Sequence, residues 1–241
     1  MRLRGGAVTA AVVLFAVAGC TEGQTKGSSG PEGAGSGGAS GGEALAAAKS
    51  LTVKGRAPKT GYSRDRFGTA WADTDSNSCD TRDDILKRDL REVKFTDGDC
   101  KVSSGVLEPD PYSGKDVTYR RGRSQVDIDH IVALSDAWQK GAKYWDAGKR
   151  IALANDPLNL LAVDASTNRG KGDGDAATWL PPDKSYRCAY VAAQVAVKKK
   201  YELWVTAAER SAMEKVLSAC PNEKLPTGGN PTKAPSRFHA K

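Results

Sequence analysis

The sequence predicts an α+β domain with little sheet. Apolar residues recur at helical spacing in four segments, alternating runs that suit strands are three and short, and two cysteine pairs lie within the same stretch. The first helix starts at Thr81, with Asp84 in its first turn and Leu86, Leu90 and Val93 along one face. Strand-like residues follow at Asp116 to Tyr119 and at Val126 to Ile131. Ser135 opens a second helix whose stripe is Leu134, Trp138, Gly141, Ala142 and Trp145. A third strand covers Asn159 to Val163, and a third helix runs from Cys188 to Leu203 with Tyr190, Val197, Tyr201 and Trp204 on one side. Thr206 and Glu209 have the spacing of a capping box, and Met213, Val216, Leu217 and Cys220 follow at helical intervals.

Composition narrows the function classes. The chain has 241 residues, 36 Lys+Arg against 29 Asp+Glu, 26 Gly, 5 Cys and 2 His, for a net charge of +7. Two histidines and no C-x-x-C pair exclude a His-rich or Cys-rich zinc module, so any metal must be held mainly by oxygen. The basic balance favours an acidic partner such as nucleic acid.

Arg2 and Arg4 precede an apolar stretch from Ala7 to Ala18, too short to span a bilayer at about 20 residues and suited to an export signal over 1–19. Residues 20–57 then form a linker, in which Thr21 to Gly42 holds nine Gly and four Ser, a composition that buries no core. The domain is expected over 58–220. Beyond it, four prolines between Pro221 and Pro235 mark residues 221–241 as a loose tail, with His239 inert within it. An even number of cysteines in an exported domain favours disulfides. Of three connectivities, Cys79 with Cys100 and Cys188 with Cys220 join neighbours in sequence, and each loop would contribute on the order of 3 kcal/mol. Lys198, Lys199 and Lys200 fan through about 200° of a helix and are read as a mostly solvated face. Asp73, Asp75 and Asn77 begin like a calcium loop, but Ser78 and Asp84 stand where such a loop needs Gly and Glu, and a polar turn is expected.

The chemistry-bearing segment is Val126-Asp127-Ile128-Asp129-His130-Ile131-Val132, then Asn159-Leu160-Leu161-Ala162-Val163, then Asn168-Arg169-Gly170-Lys171. Strand, strand and short helix each carry a polar residue. Phosphodiester hydrolysis needs a deprotonated water and a cation on the developing charge. His130 is the only histidine of the expected domain and suits proton transfer. Asp129 and Asn168 offer a hard, sparse oxygen set that suits a single Mg²⁺ or Mn²⁺.

This pattern resembles the ββα-metal finger of HNH nucleases, especially the HNH domain of RNA-guided CRISPR nucleases, which shares the D-H-I-V and N-R-G-K segments. With Arg64 to Gly68, Trp71, Cys79-Asp80-Thr81-Arg82 and Asn155 to Leu161, the chain also resembles a secreted actinobacterial HNH family. Val17-Ala18-Gly19-Cys20 resembles a lipobox, which implies a lipidated Cys20 and a membrane-anchored, extracytoplasmic protein; a monomer is expected. The resemblance implies a DNA endonuclease that leaves 5′-phosphate ends, with His130 as general base, Asn159 bracing its loop, and Asp129 and Asn168 as metal ligands. Arg123, Arg169 and Lys171 are candidates to grip flanking phosphates. Asp127 is either a partner behind the ligands or a solvent-facing carboxylate, and Arg82 either approaches the site or pairs with an acid. On a regular strand Asp129 and His130 point to opposite faces, so the strand must bend or end there. The competing reading is a non-catalytic lipoprotein that binds nucleic acid or an envelope partner on the same scaffold.

Overall fold

A computed structural model describes residues 42–241 except Asp97 and Ser124. The signal segment, Cys20 and the linker up to Gly41 lie outside the described residues. Seven helices are described: α1 (Glu43–Ser50), α2 (Thr81–Asp89), α3 (Leu134–Gln139), α4 (Ala147–Ala154), α5 (Ala165–Lys171), α6 (Arg187–Tyr201) and α7 (Ala207–Ser218). Five strands accompany them: β1 (Arg91–Phe95), β2 (Val102–Leu107), β3 (Val117–Arg120), β4 (Val126–His130) and β5 (Leu160–Asp164). The first three form an antiparallel sheet, and β4 pairs with β5 as a separate antiparallel ribbon. The α+β expectation holds, as do both disulfides, Cys79–Cys100 and Cys188–Cys220. Strands β1 and β2 were not expected from the sequence; Gly105 interrupts the apolar alternation there, and a Cβ at that position would come within 3.0 Å of Leu90 and the Arg91 carbonyl.

Two boundaries shift. Among the described residues the packed core already includes the helix Glu43–Ser50, upstream of residue 58, because Ala44, Leu45, Ala47, Ala48 and Leu51 form a buried stripe. That stripe packs in one cluster with Tyr190, Val191 and Val195 of α6 and Met213 and Leu217 of α7. Residues 221–241 are not loose either. Ala234 is buried and Phe238 packs against the cluster of Phe67, Trp138, Ile151 and Tyr201, while the Arg237 guanidinium donates to the Asp73 carbonyl at 2.9 Å and to Ser76 Oγ at 2.8 Å. Proline there restricts a packed extended strap instead of freeing a tail. A third cluster joins α2 and the two sheets through Ile85, Leu86, Val102, Tyr119, Val126, Ile128 and Leu160.

The lysine run divides as its helical fan requires, with one member turned inward. Lys198 is fully buried on α6 and pairs with Asp136 Oδ2 at 3.1 Å and Glu209 Oε1 at 3.0 Å, whereas Lys199 is exposed. Lys140, also without exposure, reaches Asp136 at 2.6 Å, Asp175 at 2.8 Å and Glu209 at 2.6 Å. Arg56 closes the group on Asp136 at 2.8 Å and Asp175 at 2.6 Å. Three cations thus balance three carboxylates, which is the condition under which buried charge is tolerated. Glu209 therefore spends its carboxylate here, while Thr206 alone caps α7 by accepting the Glu209 amide at 3.1 Å.

Removing one cation from a buried set leaves a carboxylate uncompensated. Lys198→Met is expected to lower unfolding free energy by about 3 to 5 kcal/mol, and the neighbouring Lys199→Ala by no more than about 0.5 kcal/mol. Urea denaturation of the three proteins measures the contrast; equal losses in both variants would refute the buried network.

Candidate active site

The β4–β5 ribbon followed by α5 forms a ββα unit, and its register is regular from Val126↔Asp164 to His130↔Leu160. Strand β4 ends at His130 without a bulge. One further ladder bond, from Ile131 N–H to the Asn159 carbonyl at 2.8 Å, is followed by a side chain taking the ladder's place: Val132 N–H donates to Asn159 Oδ1 at 2.8 Å. The fully buried Asn159 amide also donates to the carbonyls of Leu153, at 3.3 Å, and Val132, at 3.4 Å. The turn after His130 is thereby fixed, and the strand terminus lets adjacent side chains share one space. Asp129, His130 and Asn168 all line a cleft of about 220 Å³, with Tyr62, Arg64, Asp173 and Gly172 among the other walls.

His130 is buried. Its Nε2 lies 2.9 Å from the Ala154 carbonyl oxygen, which can only accept, so Nε2 carries the hydrogen and Nδ1 keeps the lone pair. Burial pushes the imidazole pKa down from 6.5 to about 4, partly opposed by the Ala154 carbonyl and Asp129, so the ring is neutral near pH 7. The Trp71 ring lies parallel to it within 11° at a centroid distance of 6.2 Å. Trp71 adopts φ 60°, an uncommon value for a bulky residue, and is held by its carbonyl accepting Thr81 N–H at 3.3 Å.

Two donors hold Asp129. Tyr112 donates its hydroxyl to Oδ2 at 2.6 Å, and the Lys171 ammonium sits 2.9 Å from each carboxylate oxygen while also donating to the His130 carbonyl at 2.8 Å. Lys171 is therefore not free to grip a phosphate; it is buried, because it lies three residues after Asn168 and shares the face of α5 turned to β4. Tyr112 was missed in the sequence. It is fully buried among Trp179 and Tyr190, at ring distances of 5.0 Å and 5.6 Å, and burial with Asp129 holds its pKa well above the usual 10, so it remains a donor. Nothing in the local pattern around Tyr112 marks it, since a cis Glu108–Pro109 loop carries it in from outside the ββα unit.

Asp127 is half-buried, and its Oδ2 accepts from Asn168 Nδ2 at 3.3 Å, which turns the Asn168 carbonyl oxygen away from Asp127. Arg82 does not line the cleft; its guanidinium lies over the Trp71 ring at 5.8 Å from the centroid. Arg123 and Arg169 are exposed and also lie outside the lining. Arg64, which does line it, was read only as part of a flanking motif. Among the described residues no group of three or more His, Cys, Asp or Glu is placed to hold a metal. A cation here would be bound by few protein oxygens. That suits a hard ion that keeps most of its waters.

Over residues 80–216 the chain matches the C-terminal domain of GmrSD restriction endonucleases. A protein of Arthroderma benhamiae described as an uncharacterized secreted protein is 43% identical over 172 residues, which cover 70% of this chain and 81% of that protein. No solved structure matches the chain. The match spans more than half of the sequence and contains the whole ββα unit, so the chain belongs to the family of GmrSD restriction endonuclease C-terminal domains.

Proposed function

We propose that this protein is an HNH-type endonuclease that hydrolyses DNA phosphodiester bonds, with His130 as general base and a single Mg²⁺ or Mn²⁺ held by Asp129 and Asn168. The observation that carries the reading is that a neutral imidazole, with its lone pair on Nδ1, shares one cleft with the oxygens of Asp129 and Asn168. Membership of a restriction endonuclease family supports nuclease chemistry on nucleic acid. The secreted relative supports export, and the lipobox-like Val17 to Cys20 adds a membrane tether through Cys20.

The bound cation supplies charge neutralisation at the phosphate and its leaving oxygen. The remaining work falls to the chain itself. His130 Nδ1 takes the proton of the attacking water, and the Ala154 carbonyl holds the ring in the tautomer that makes this possible. Burial gives up some basicity and ensures that the ring is unprotonated when substrate arrives. Asn159 fixes the turn that carries the base, so that Nδ1 addresses one position in the cleft. Tyr112 and Lys171 hold Asp129 in one rotamer, while Asp127 accepts from the Asn168 amide nitrogen and leaves the amide oxygen for the cation. Arg123 and Arg169, exposed at the β3–β4 turn and on α5, are available to phosphates farther along the strand.

Supercoiled plasmid incubated with the purified protein and Mg²⁺ or Mn²⁺ should be nicked and linearised, and chelation should stop the reaction. His130→Ala is expected to be slower by about 10² to 10⁴-fold; equal rates in the two proteins would sink the assignment of the base. Asn159→Ala leaves the buried Val132 N–H unpaired and should cost about 1 to 3 kcal/mol of stability. The same variant should lower the cleavage rate at temperatures where it is fully folded. A melting temperature matching that of the wild type would rule out the brace.

A further inference from the structure

We propose that Arg64 is a catalytic residue that binds the scissile phosphodiester, its guanidinium donating to a non-bridging oxygen of the phosphate that His130, Asp129 and Asn168 address. The inference rests on the endonuclease reading above and adds a residue that lies outside the matched span 80–216.

Placement comes first. A second, smaller recess of about 70 Å³ adjoins the cleft, lined by Phe67, Trp71 and Ala154, and the two cavities share only Arg64, His130 and Leu134. Arg64 thus stands beside the base at the junction of both spaces.

Charge accounting in the cleft points the same way. Asp129 is neutralised by Lys171, and Asp173, the other acid in the lining, pairs with Lys59 at 3.0 Å. His130 is neutral. Arg64 alone in the lining is an uncompensated ion: among the described residues its side chain makes no hydrogen bond or ion pair. The exposed Arg66, Arg123 and Arg169 also make no side-chain hydrogen bond or ion pair among the described residues, but they line neither cavity, so the place of Arg64 in the cleft wall is what distinguishes it. An exposed guanidinium left unpaired at the edge of a cleft is matched by a phosphodiester, which brings one negative charge and two outward oxygens in the geometry of its fork.

The position is also built. Arg64 opens a single 3₁₀ turn, Arg64–Phe67, whose last residue is buried against Trp138 at a ring distance of 6.4 Å. Gly68 ends the turn at φ 82°, and a Cβ there would fall 2.7 Å from Ile151 Cγ1, so the turn sits tightly against α4. Phe67 and Gly68 hold the backbone while the Arg64 side chain stays free to close on a ligand.

In the reaction the water oxygen bonds to phosphorus as the P–O3′ bond breaks. The water proton passes to His130 Nδ1, and the departing O3′ takes a proton from solvent, leaving a 5′-phosphate. Arg64 transfers no proton; it stays a guanidinium and takes up the charge that grows on the non-bridging oxygens.

The test compares wild type, Arg64→Ala, Arg64→Lys and, as a control, Arg66→Ala, an exposed residue of the same turn that lines neither cavity. Arg64→Ala should lower kcat on plasmid by about 10² to 10³-fold with an unchanged melting temperature. Added guanidinium should restore part of that loss and none of the His130→Ala loss. Arg64→Lys should lie between, and Arg66→Ala within about threefold of wild type. A binding arm uses a short duplex oligonucleotide in chelator with His130→Ala as the parent. There, adding Arg64→Ala should make the slope of log affinity against log salt shallower by about 0.9. If the wild type cleaves and Arg64→Ala cleaves within threefold of it, or is slow without any guanidinium response, the proposal falls. If the wild type does not cleave, the endonuclease reading fails, and an unchanged salt slope then removes Arg64 from phosphate binding as well.

Discussion

The cleft depends on a buried set of charges that never touches it. Asp136 lies in the first turn of α3, six residues after His130, and Asp175 follows Lys171 by four, so both carboxylates lie just beyond the two segments that form the cleft walls. Lys140 and Lys198 bind them together with Glu209 of α7, and Arg56 ties in the segment that follows α1. Five separate stretches of chain are thereby locked at one point. The buried Asp136, Lys140, Asp175, Lys198 and Glu209 have no second arrangement of comparable energy once a partner moves, since each loss would leave an uncompensated ion. The turn carrying His130 is then pinned twice, by Asn159 at Val132 and by Asp136 four residues on.

A similar logic acts within the site at smaller scale. Lys171 bonds to Asp129 and to the His130 carbonyl, which joins α5 to the end of β4. It makes the spacing between Asn168 and Asp129 a property of one helix face against one strand. An ammonium on the only buried carboxylate of the cleft also weakens the pull of that carboxylate on a divalent cation. On the proposed reading, a cation held by few protein oxygens would bind fully only when phosphate oxygens complete its shell, so that substrate and cation would arrive as linked partners.

The parts of this arrangement that were legible in the sequence are those written in local spacing. Asp129, His130, Asn159 and Asn168 stand in one strand–strand–helix pattern, and the helices around Thr81, Cys188 and Thr206 announce themselves by caps and stripes. What remained hidden depends on contacts between distant segments. Lys171 sits in a basic run that reads as phosphate-binding until the helix face it shares with Asn168 is turned to β4. Glu209 reads as half of a capping box because its distance from Thr206 fits, yet its carboxylate is needed 69 residues away in sequence, at Lys140. Tyr112 reaches Asp129 from a loop whose sequence has no period at all. The proline-rich end was read from composition, which reports chain stiffness and says nothing of the Phe67–Ile151 surface on which Phe238 packs.

The same surface connects the chain's end to its chemistry. Phe67 belongs to the turn that begins with Arg64, and it shares a cluster with Trp138, Ile151, Ala234 and Phe238. The backbone N–H of Lys241 donates to the Asp65 carbonyl at 3.2 Å, inside that turn, and the His239 carbonyl lies 3.5 Å from where a Gly68 Cβ would stand. Residues 234–241 thus form the outer layer over the wall that carries Arg64. A 3₁₀ turn of four residues has few internal bonds and holds its place through what packs on either side of it. With α4 packed on Phe67 and Gly68 and the terminal strap bonded to Asp65, the turn is held at its far end while Arg64 stays exposed, which is the combination a residue needs to meet a phosphate without reorganising.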